Sequence, residues 1–511
     1  MSYLPSPPPL EAFAVSLILL GLWCWQYASS PSKLPPGPKG LPWIGQAFKI
    51  PKLHTHIYFT GLQKQFGDVV TVTALGQKVI VLNSYEAAFN ILAKHGSIHC
   101  NRTPNPFLTR FMGLDNMSAL INAGPDWKEG RRLYQALLNK SICRDQYAEQ
   151  LANECQSFVL RAVEVGGDKD GDCDLIDAVM HKIFMEMTYG VQINGYNDPV
   201  LLNSIHATEL ASESLVPGKH LVNLIPFLQH LPPWIPFQSW RAEGQEAQRV
   251  FGMMADGPWQ EALLGESDAS NEPSFVRDLL RKRTPANEHL LKVTALSNMV
   301  AGTENTSGLV RAFVLAMLLH PKVQKKAQEE MDRVVGFDRL PTLEDQRDLP
   351  YLDAIIKEVM RWRPVAPLSV PTTPTREDVY GEHLIPADAI VVQNNWGISR
   401  DERQYPNPES FTPERWLVED PPVDPRLWSF GVGRRICPGA AFAETLYITM
   451  FMTLLATVDI VPQLGDDGKP VYVDPSAPTT GRLSSTPLPF AHSLKARSRD
   501  IAGMLSDACF R

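Results

Sequence analysis

Phe430-Gly431-Val432-Gly433-Arg434-Arg435-Ile436-Cys437-Pro438-Gly439 is the stretch that decides how this chain is read. It sets one thiol in a glycine-rich turn, with two arginines just ahead of it. An apolar run follows through Phe442, Leu446, Tyr447, Met450 and Phe451, and its spacing predicts a helix that opens just after the cysteine. The N–H groups of a helix start favour negative charge, and Arg434 and Arg435 are expected to add positive charge. All of this favours thiolate over thiol, and the thiolate is the form that binds metal. A buried, inert cysteine is the plainer alternative, because free cysteines are among the most buried residues. Packing alone, however, has no use for arginines and glycines arranged around a thiol.

The same ten residues match Phe-x-x-Gly-x-Arg-x-Cys-x-Gly at every specified position. They resemble the haem-binding loop of the cytochromes P-450. The resemblance implies that Cys437 is the axial ligand of a haem (heme, iron protoporphyrin IX). It also implies that Arg435 holds a propionate by a charge-assisted hydrogen bond, that Phe430 packs near the sulfur, and that Gly433 belongs to the cofactor-binding loop. A thiolate ligand pushes electron density onto iron and favours O–O cleavage.

Composition fits a globular protein. The chain has 511 residues, 44% of them hydrophobic and 20% charged, enough to build a large core. A net charge of −8 with no block of like charge argues against nucleic acid as a partner. The seven cysteines are scattered and form no C-x-x-C pair. A disulfide framework or zinc ribbon is not expected, which suits a reducing compartment. No phosphate-binding or dinucleotide fingerprint is present, so electrons are expected from a separate protein.

Three segments are expected along the chain. Residues 1–28 contain an almost wholly apolar run from Ala12 to Ala28 that ends in Trp23, Trp25 and Tyr27. It approaches the length that spans a bilayer, with aromatic residues at one interface. An uncleaved signal anchor is expected rather than a cleaved signal, because no Lys or Arg precedes the run and no small-residue cleavage site follows it. Lys33 and Lys39 after it leave the bulk of the chain cytosolic, in a single-pass protein of the endoplasmic reticulum membrane. Residues 29–45 are proline-rich and are expected to be a semi-rigid hinge. Residues 46–511 are expected to form one catalytic domain.

Within that domain, Val69–Val81 reads as a strand pair with a turn at Gly76, and from Tyr85 the pattern is largely helical. The segment 103–122, with Phe107, Phe111, Met112 and Met117, either walls a pocket or simply packs. Trp127 and Arg131 are four apart and share a helix face. The resemblance gives this pair a haem propionate, while Lys128 and Arg132 would present charge to an acidic partner. Residues 205–240 are broken by prolines and rich in aromatics, and either pack in the core or dip into a membrane.

A long helix is predicted over His289–Leu318. It contains Ala301-Gly302-Thr303-Glu304-Asn305-Thr306-Ser307, a costly insertion of glycine and polar residues. This window resembles the family's oxygen-binding stretch and makes Glu304, Asn305 and Thr306 catalytic candidates. Asn305 stands where the family usually has an oxygen-activating threonine. Asparagine can hydrogen-bond dioxygen but relays protons poorly.

Glu358 and Arg361, together with Arg415, match the family's structural triad. Pro367–Pro371 sits where the family lines its pocket, and Thr372 and Thr373 replace a usual cationic propionate contact. Leu483 and Ser484, near the C-terminus, are candidate substrate contacts.

The resemblance therefore implies a mainly α fold with a smaller β-rich lobe. The implied activity is a membrane-anchored monooxygenase that takes electrons from an NADPH-dependent reductase and inserts oxygen from dioxygen into a lipophilic small molecule. The overall style is similar to that of fungal secondary-metabolism members acting on terpenoids or polyketides. Two alternatives stay open: a peroxygenase or isomerase that needs no reductase, favoured by Asn305, and a non-catalytic haem-binding protein.

Overall fold

The computed structural model describes residues 33–505, apart from 42–43, 166–170, 217, 265–272, 282, 285–286, 475, 477–478, 483, 499 and 502. The apolar run at 12–28 and Leu483 lie outside the described residues, as does most of the polar stretch 265–274.

The predicted strand pair is present as β1 (Val69–Ala74) and β2 (Gln77–Leu82), antiparallel and in register from Val69 opposite Leu82. Leu75 and Gly76 connect them with φ of 48° and 78°. Positive φ at both central positions is the hairpin turn that matches strand twist. Three further strands complete the sheet: β3 (Asn101–Arg102), β4 (Thr372–Thr373) and β7 (Ile390–Gln393), in the order β1-β2-β7-β4-β3. Among the described residues of this sheet, only β2 and β7 run parallel. Two hairpin-like pairs lie apart from it, β5 (Asp378–Tyr380) with β6 (His383–Ile385) and β8 (Val458–Val461) with β9 (Ser493–Ala496).

The described part of the proline-rich segment lies along this sheet. Thr71 N–H donates to the Pro36 carbonyl at 2.9 Å, and Leu75 N–H, in the β1–β2 turn, donates to the Ile44 carbonyl at 3.2 Å.

The main core is helical. Its principal helices are α1 (Pro125–Leu137), α2 (Gly171–Tyr189), α3 (Pro199–Ser214), α4 (Glu288–Leu319), α5 (Pro350–Trp362) and α6 (Ala440–Thr457). Most of the second half of α4 and most of α6 are buried, which explains why neither shows a continuous polar face. The two helices meet where Phe313 stacks on Phe451 with ring centroids 3.9 Å apart. Thr445, Thr449, Thr453 and Thr457 of α6 each donate back to the carbonyl four residues earlier. These bonds satisfy hydroxyls that burial would otherwise penalise. Among the described residues, α6 is the one helix long and apolar enough to cross a membrane, and it is a core helix.

The structural triad forms as expected. Arg361 donates to both Glu358 oxygens, at 3.0 and 2.7 Å, and Arg415 Nε donates to Glu358 at 3.2 Å. Trp416 Nε1 and Thr412 N–H complete the carboxylate's partners at 3.1 and 2.9 Å.

Candidate active site

Cys437 closes a hairpin loop, its N–H donating to the Phe430 carbonyl at 2.8 Å. Gly431 and Gly433 in that loop take φ of 81° and 73°, a region that glycine enters without steric cost. A Cβ on Gly433 would lie 2.0 Å from the Leu92 carbonyl oxygen. Gly433 thus lets the loop seat on the backbone at Leu92. It is not among the described residues of the cavity wall, and it serves the loop by backbone packing.

The helix predicted after the cysteine is α6, which opens at Ala440. Cys437 borders an internal cavity. Burial pushes its thiol up, while the Gly439 N–H and the Arg131 guanidinium favour the anion. The expectation that Arg434 and Arg435 supply this charge is corrected. Arg434 is exposed, and Arg435 turns to the carbonyls of Cys100, Ser118 and Ile121 at 2.7, 3.3 and 2.8 Å. Consecutive side chains of a tight turn leave it in different directions, so the cation beside the sulfur comes from a different element. Arg131 reaches it from α1 and donates to the Ile436 carbonyl. Burial outweighs these effects in the protein alone, and metal coordination is what makes a thiolate the stable form.

The cavity has a volume of about 310 Å³. Helix α4 contributes Ala301, Gly302, Asn305, Thr306 and Leu309 to its wall, and the Pro367–Pro371 stretch contributes Ser369 and Val370. Phe430 and Trp127 also line it, as expected. The cation over the Trp127 ring is Arg435, 4.6 Å from the centroid. Phe107, Met112 and Met117 belong to the core instead, and Phe107 stacks on His220 at 3.6 Å. A second, outward cleft of about 450 Å³ adjoins Cys437 and Pro438 and is lined by Lys128 and Arg132. Arg132 is already paired with Glu129 at 2.5 Å.

The three α4 candidates diverge. Asn305 Nδ2 donates to the Ala301 carbonyl at 2.8 Å, and Thr306 Oγ1 donates to the Gly302 carbonyl at 2.8 Å. Both line the cavity. Glu304 does not; it faces α3, where Ser212 Oγ donates to it at 2.9 Å. Each residue along a helix turns the side chain by about 100°, so Glu304 points away from the cavity that Asn305 and Thr306 border. Ser484 donates to Asn305 Oδ1 at 3.2 Å and lies behind the wall, not on it.

Two residues at the cavity escaped the reading of the sequence. Arg102 lines it, with one guanidinium nitrogen bonded to the Val370 carbonyl at 2.8 Å and its Nε buried without a partner. Burial and the nearby Arg435 lower its pKa to about 9. His99 lines the cavity too; Nε2 is 2.8 Å from Asp378 and Nδ1 has no partner. Nothing in the sequence around either residue marks it, because their neighbours Val370, Asp378 and Arg435 are distant in the chain.

The charge pattern tests the haem. Arg102, Arg131 and Arg435 all line the cavity, and among the described residues none has a carboxylate within ion-pair distance. Enclosed charges without a counter-charge cost several kcal/mol each. A ligand that brings two carboxylates to this rim and a metal to the sulfur removes that cost, and a haem does both. Fold and site together define a haem-thiolate protein.

The family follows from comparison. The cytochrome P-450 family model matches residues 35–485, and this chain belongs to that family. A cytochrome P-450 monooxygenase (208) of Postia placenta is 33% identical over 475 residues, covering 92% of this chain and 91% of the relative. Another (ple1), from Rhodocybe pseudopiperita, is 34% identical over 496 residues, with 94% and 93% covered. A tryptamine 4-monooxygenase of Psilocybe cyanescens is 31% identical, with 96% and 99% covered. The solved structure of a zebra fish cytochrome P-450 with abiraterone superposes with a TM-score of 0.70 at 22% identity, over 87% of this chain and all of that one. The protein is a haem-dependent cytochrome P-450 monooxygenase, an enzyme class that uses dioxygen, a redox partner and a small-molecule substrate.

Proposed function

We propose that this enzyme is anchored by residues 1–28 in the endoplasmic reticulum membrane and hydroxylates a neutral, lipophilic small molecule of secondary metabolism, terpenoid or polyketide-like, on the cytosolic side. The cavity wall carries the substrate reading. It is mainly apolar, and among the described residues no Asp or Glu lines it, so an ammonium-bearing substrate would find no counter-charge.

A bound haem would supply the activation of dioxygen, with two electrons from the redox partner and two protons taking the second oxygen atom to water. The chain's own parts are distinct. Cys437 is the ligand; Arg102, Arg131, Arg435 and the Trp127 indole hold the carboxylate side of the cofactor. Asn305 and Thr306 are the polar groups of α4 at the cavity, and Phe430 and Phe442 help exclude water from it.

Membrane attachment has support in the 221–237 segment. Phe227, Trp234 and Phe237 are 69%, 81% and 93% exposed, and exposed apolar patches mark interaction sites. Lys128 in the outward cleft beside Cys437 suits docking of an acidic NADPH-dependent reductase.

Asn305 favours a second reading, turnover driven by peroxide without reductase. Product formation with NADPH and reductase, compared with hydrogen peroxide alone, separates the two. If asparagine is only a handicap, Asn305→Thr raises the product formed per NADPH consumed. Unchanged or lower coupling makes Asn305 the working residue. Product analysis after co-expression with a reductase tests the substrate class, and a cationic product would contradict it.

A further inference from the structure

Asn305 borders the cavity, and its side chain is held at both ends. Nδ2 donates to the Ala301 carbonyl at 2.8 Å. A carbonyl only accepts, so this bond assigns the nitrogen end of the amide. Oδ1 is therefore the atom that takes the Ser484 hydroxyl at 3.2 Å. An amide carries two N–H donors and a carbonyl with two lone pairs. One donor and one lone pair are used, and one of each is left. Other polar groups of α4 at the cavity are committed elsewhere. Thr306 gives its hydroxyl hydrogen to the Gly302 carbonyl at 2.8 Å, and Ser297 gives its own to the Val293 carbonyl at 2.7 Å. Asn298 turns Nδ2 to Thr188 of α2 at 2.8 Å. One turn away on either side, Ala301 and Leu309 flank Asn305 on the same helix face, and Val365, Ala366 and Val370 also line the cavity. A pinned amide cannot turn its free N–H away from what fills this space. A pure hydrocarbon strips water from that N–H and offers nothing back, which is the costly case for a polar group. An oxygen acceptor on the ligand removes the cost.

We propose that Asn305 is the specificity-determining residue of the substrate pocket: its free Nδ2 hydrogen donates to an oxygen atom already present on the lipophilic substrate, and Ser484 is the positioning residue that holds the amide for it. The substrate class is thereby narrowed to a scaffold that carries a carbonyl, ether or hydroxyl oxygen before this enzyme acts. That oxygen ties one point of the scaffold to α4, and the apolar wall places the rest. A threonine at 305 would spend its single hydrogen on the Ala301 carbonyl, as Thr306 does on Gly302, and would have none left for a ligand.

The proposal rests on the reading of a neutral, lipophilic substrate, and matched probes test the two apart. trans-Decalin and its ketone, trans-2-decalone, share a skeleton and differ in one oxygen. Each is titrated into the full-length, haem-loaded ferric protein, and the Soret band gives its dissociation constant. The ketone costs more to desolvate, so a pocket without a free donor favours the hydrocarbon. The wild type is expected to bind the ketone about tenfold or more tightly than the hydrocarbon. Asn305→Leu reverses the order, Asn305→Thr loses the preference, and Ser484→Ala reduces it through the ketone alone. A mere loss of packing would weaken both probes together and leave their ratio unchanged. The carbon monoxide band of each reduced variant shows that it carries haem, and Asn305→Thr and Ser484→Ala carry the test if Asn305→Leu does not load. A wild type that binds the ketone no better than the hydrocarbon, or a preference that survives at full size in the variants, overturns the anchor and leaves the neutral-substrate reading standing. Binding of neither probe sinks both.

Discussion

Arg102 and Arg435 are two guanidiniums close enough across the cavity rim for the charge of Arg435 to lower the pKa of Arg102, and among the described residues no carboxylate stands between them. Like charges held together in a dry site are stable only when a counter-charge arrives. Arg102→Met is therefore expected to act with opposite sign on the two forms of the protein. The haem-free form gains about 1–3 kcal/mol of stability, as seen when uncompensated buried charges are replaced by apolar groups. The haem-loaded form loses about 1.5–3 kcal/mol of cofactor binding, the worth of a charged hydrogen bond. Denaturant midpoints of both forms, and the rate of haem transfer to an acceptor protein, measure the two effects.

Glu358 and Arg361 are wholly buried, and the carboxylate also holds Arg415 and Trp416. Glu358→Gln leaves two buried guanidiniums short of a charge. The expected loss of stability is about 3–5 kcal/mol, visible as a lower denaturant midpoint and less soluble protein. A loss of activity with unchanged stability would contradict the structural role.

Gly433→Ala places a Cβ against the Leu92 carbonyl in a backbone conformation with φ of 73°. The loop must then leave its seat, and backbone strain of this kind costs about 1–3 kcal/mol. The variant is expected to purify with reduced haem content, read from the ratio of haem to protein absorbance. Full occupancy would show that the loop tolerates the shift.

Glu304 gives stability a pH dependence. Its carboxyl is held near 7 in the folded protein, above its ordinary value near 4.3, so the folded state binds this proton more tightly than the unfolded state. Stability therefore falls as pH rises between those two values and levels off above 7. The drop is on the order of 3 kcal/mol. Glu304→Gln removes this component, so the variant gains on the wild type between pH 5 and 8. Parallel pH profiles of the two proteins would contradict the assignment.

Legibility followed sequence distance. The Cys437 loop, the α4 window and the Glu358–Arg361 pair are local patterns, and each forms where the spacing puts it. The cation beside Cys437 was misplaced because Arg131 arrives from α1, while the arginines next to the cysteine point elsewhere. Arg102 and the bond from Ser484 to Asn305 exist only because distant segments cross at the cavity. The Met112 and Met117 segment shows a different limit, since apolar content does not distinguish a cavity wall from a packed core. Gly433 does serve the loop, through backbone packing against Leu92 rather than through the cavity.

The central claim is that the Cys437 sulfur ligates a haem iron. The most direct test is the absorption spectrum of the purified, reduced protein under carbon monoxide. The wild type is expected to show the red-shifted Soret band of thiolate ligation, and Cys437→Ala to lack it. A wild-type spectrum without that band, or a Cys437→Ala spectrum that keeps it, would contradict the account.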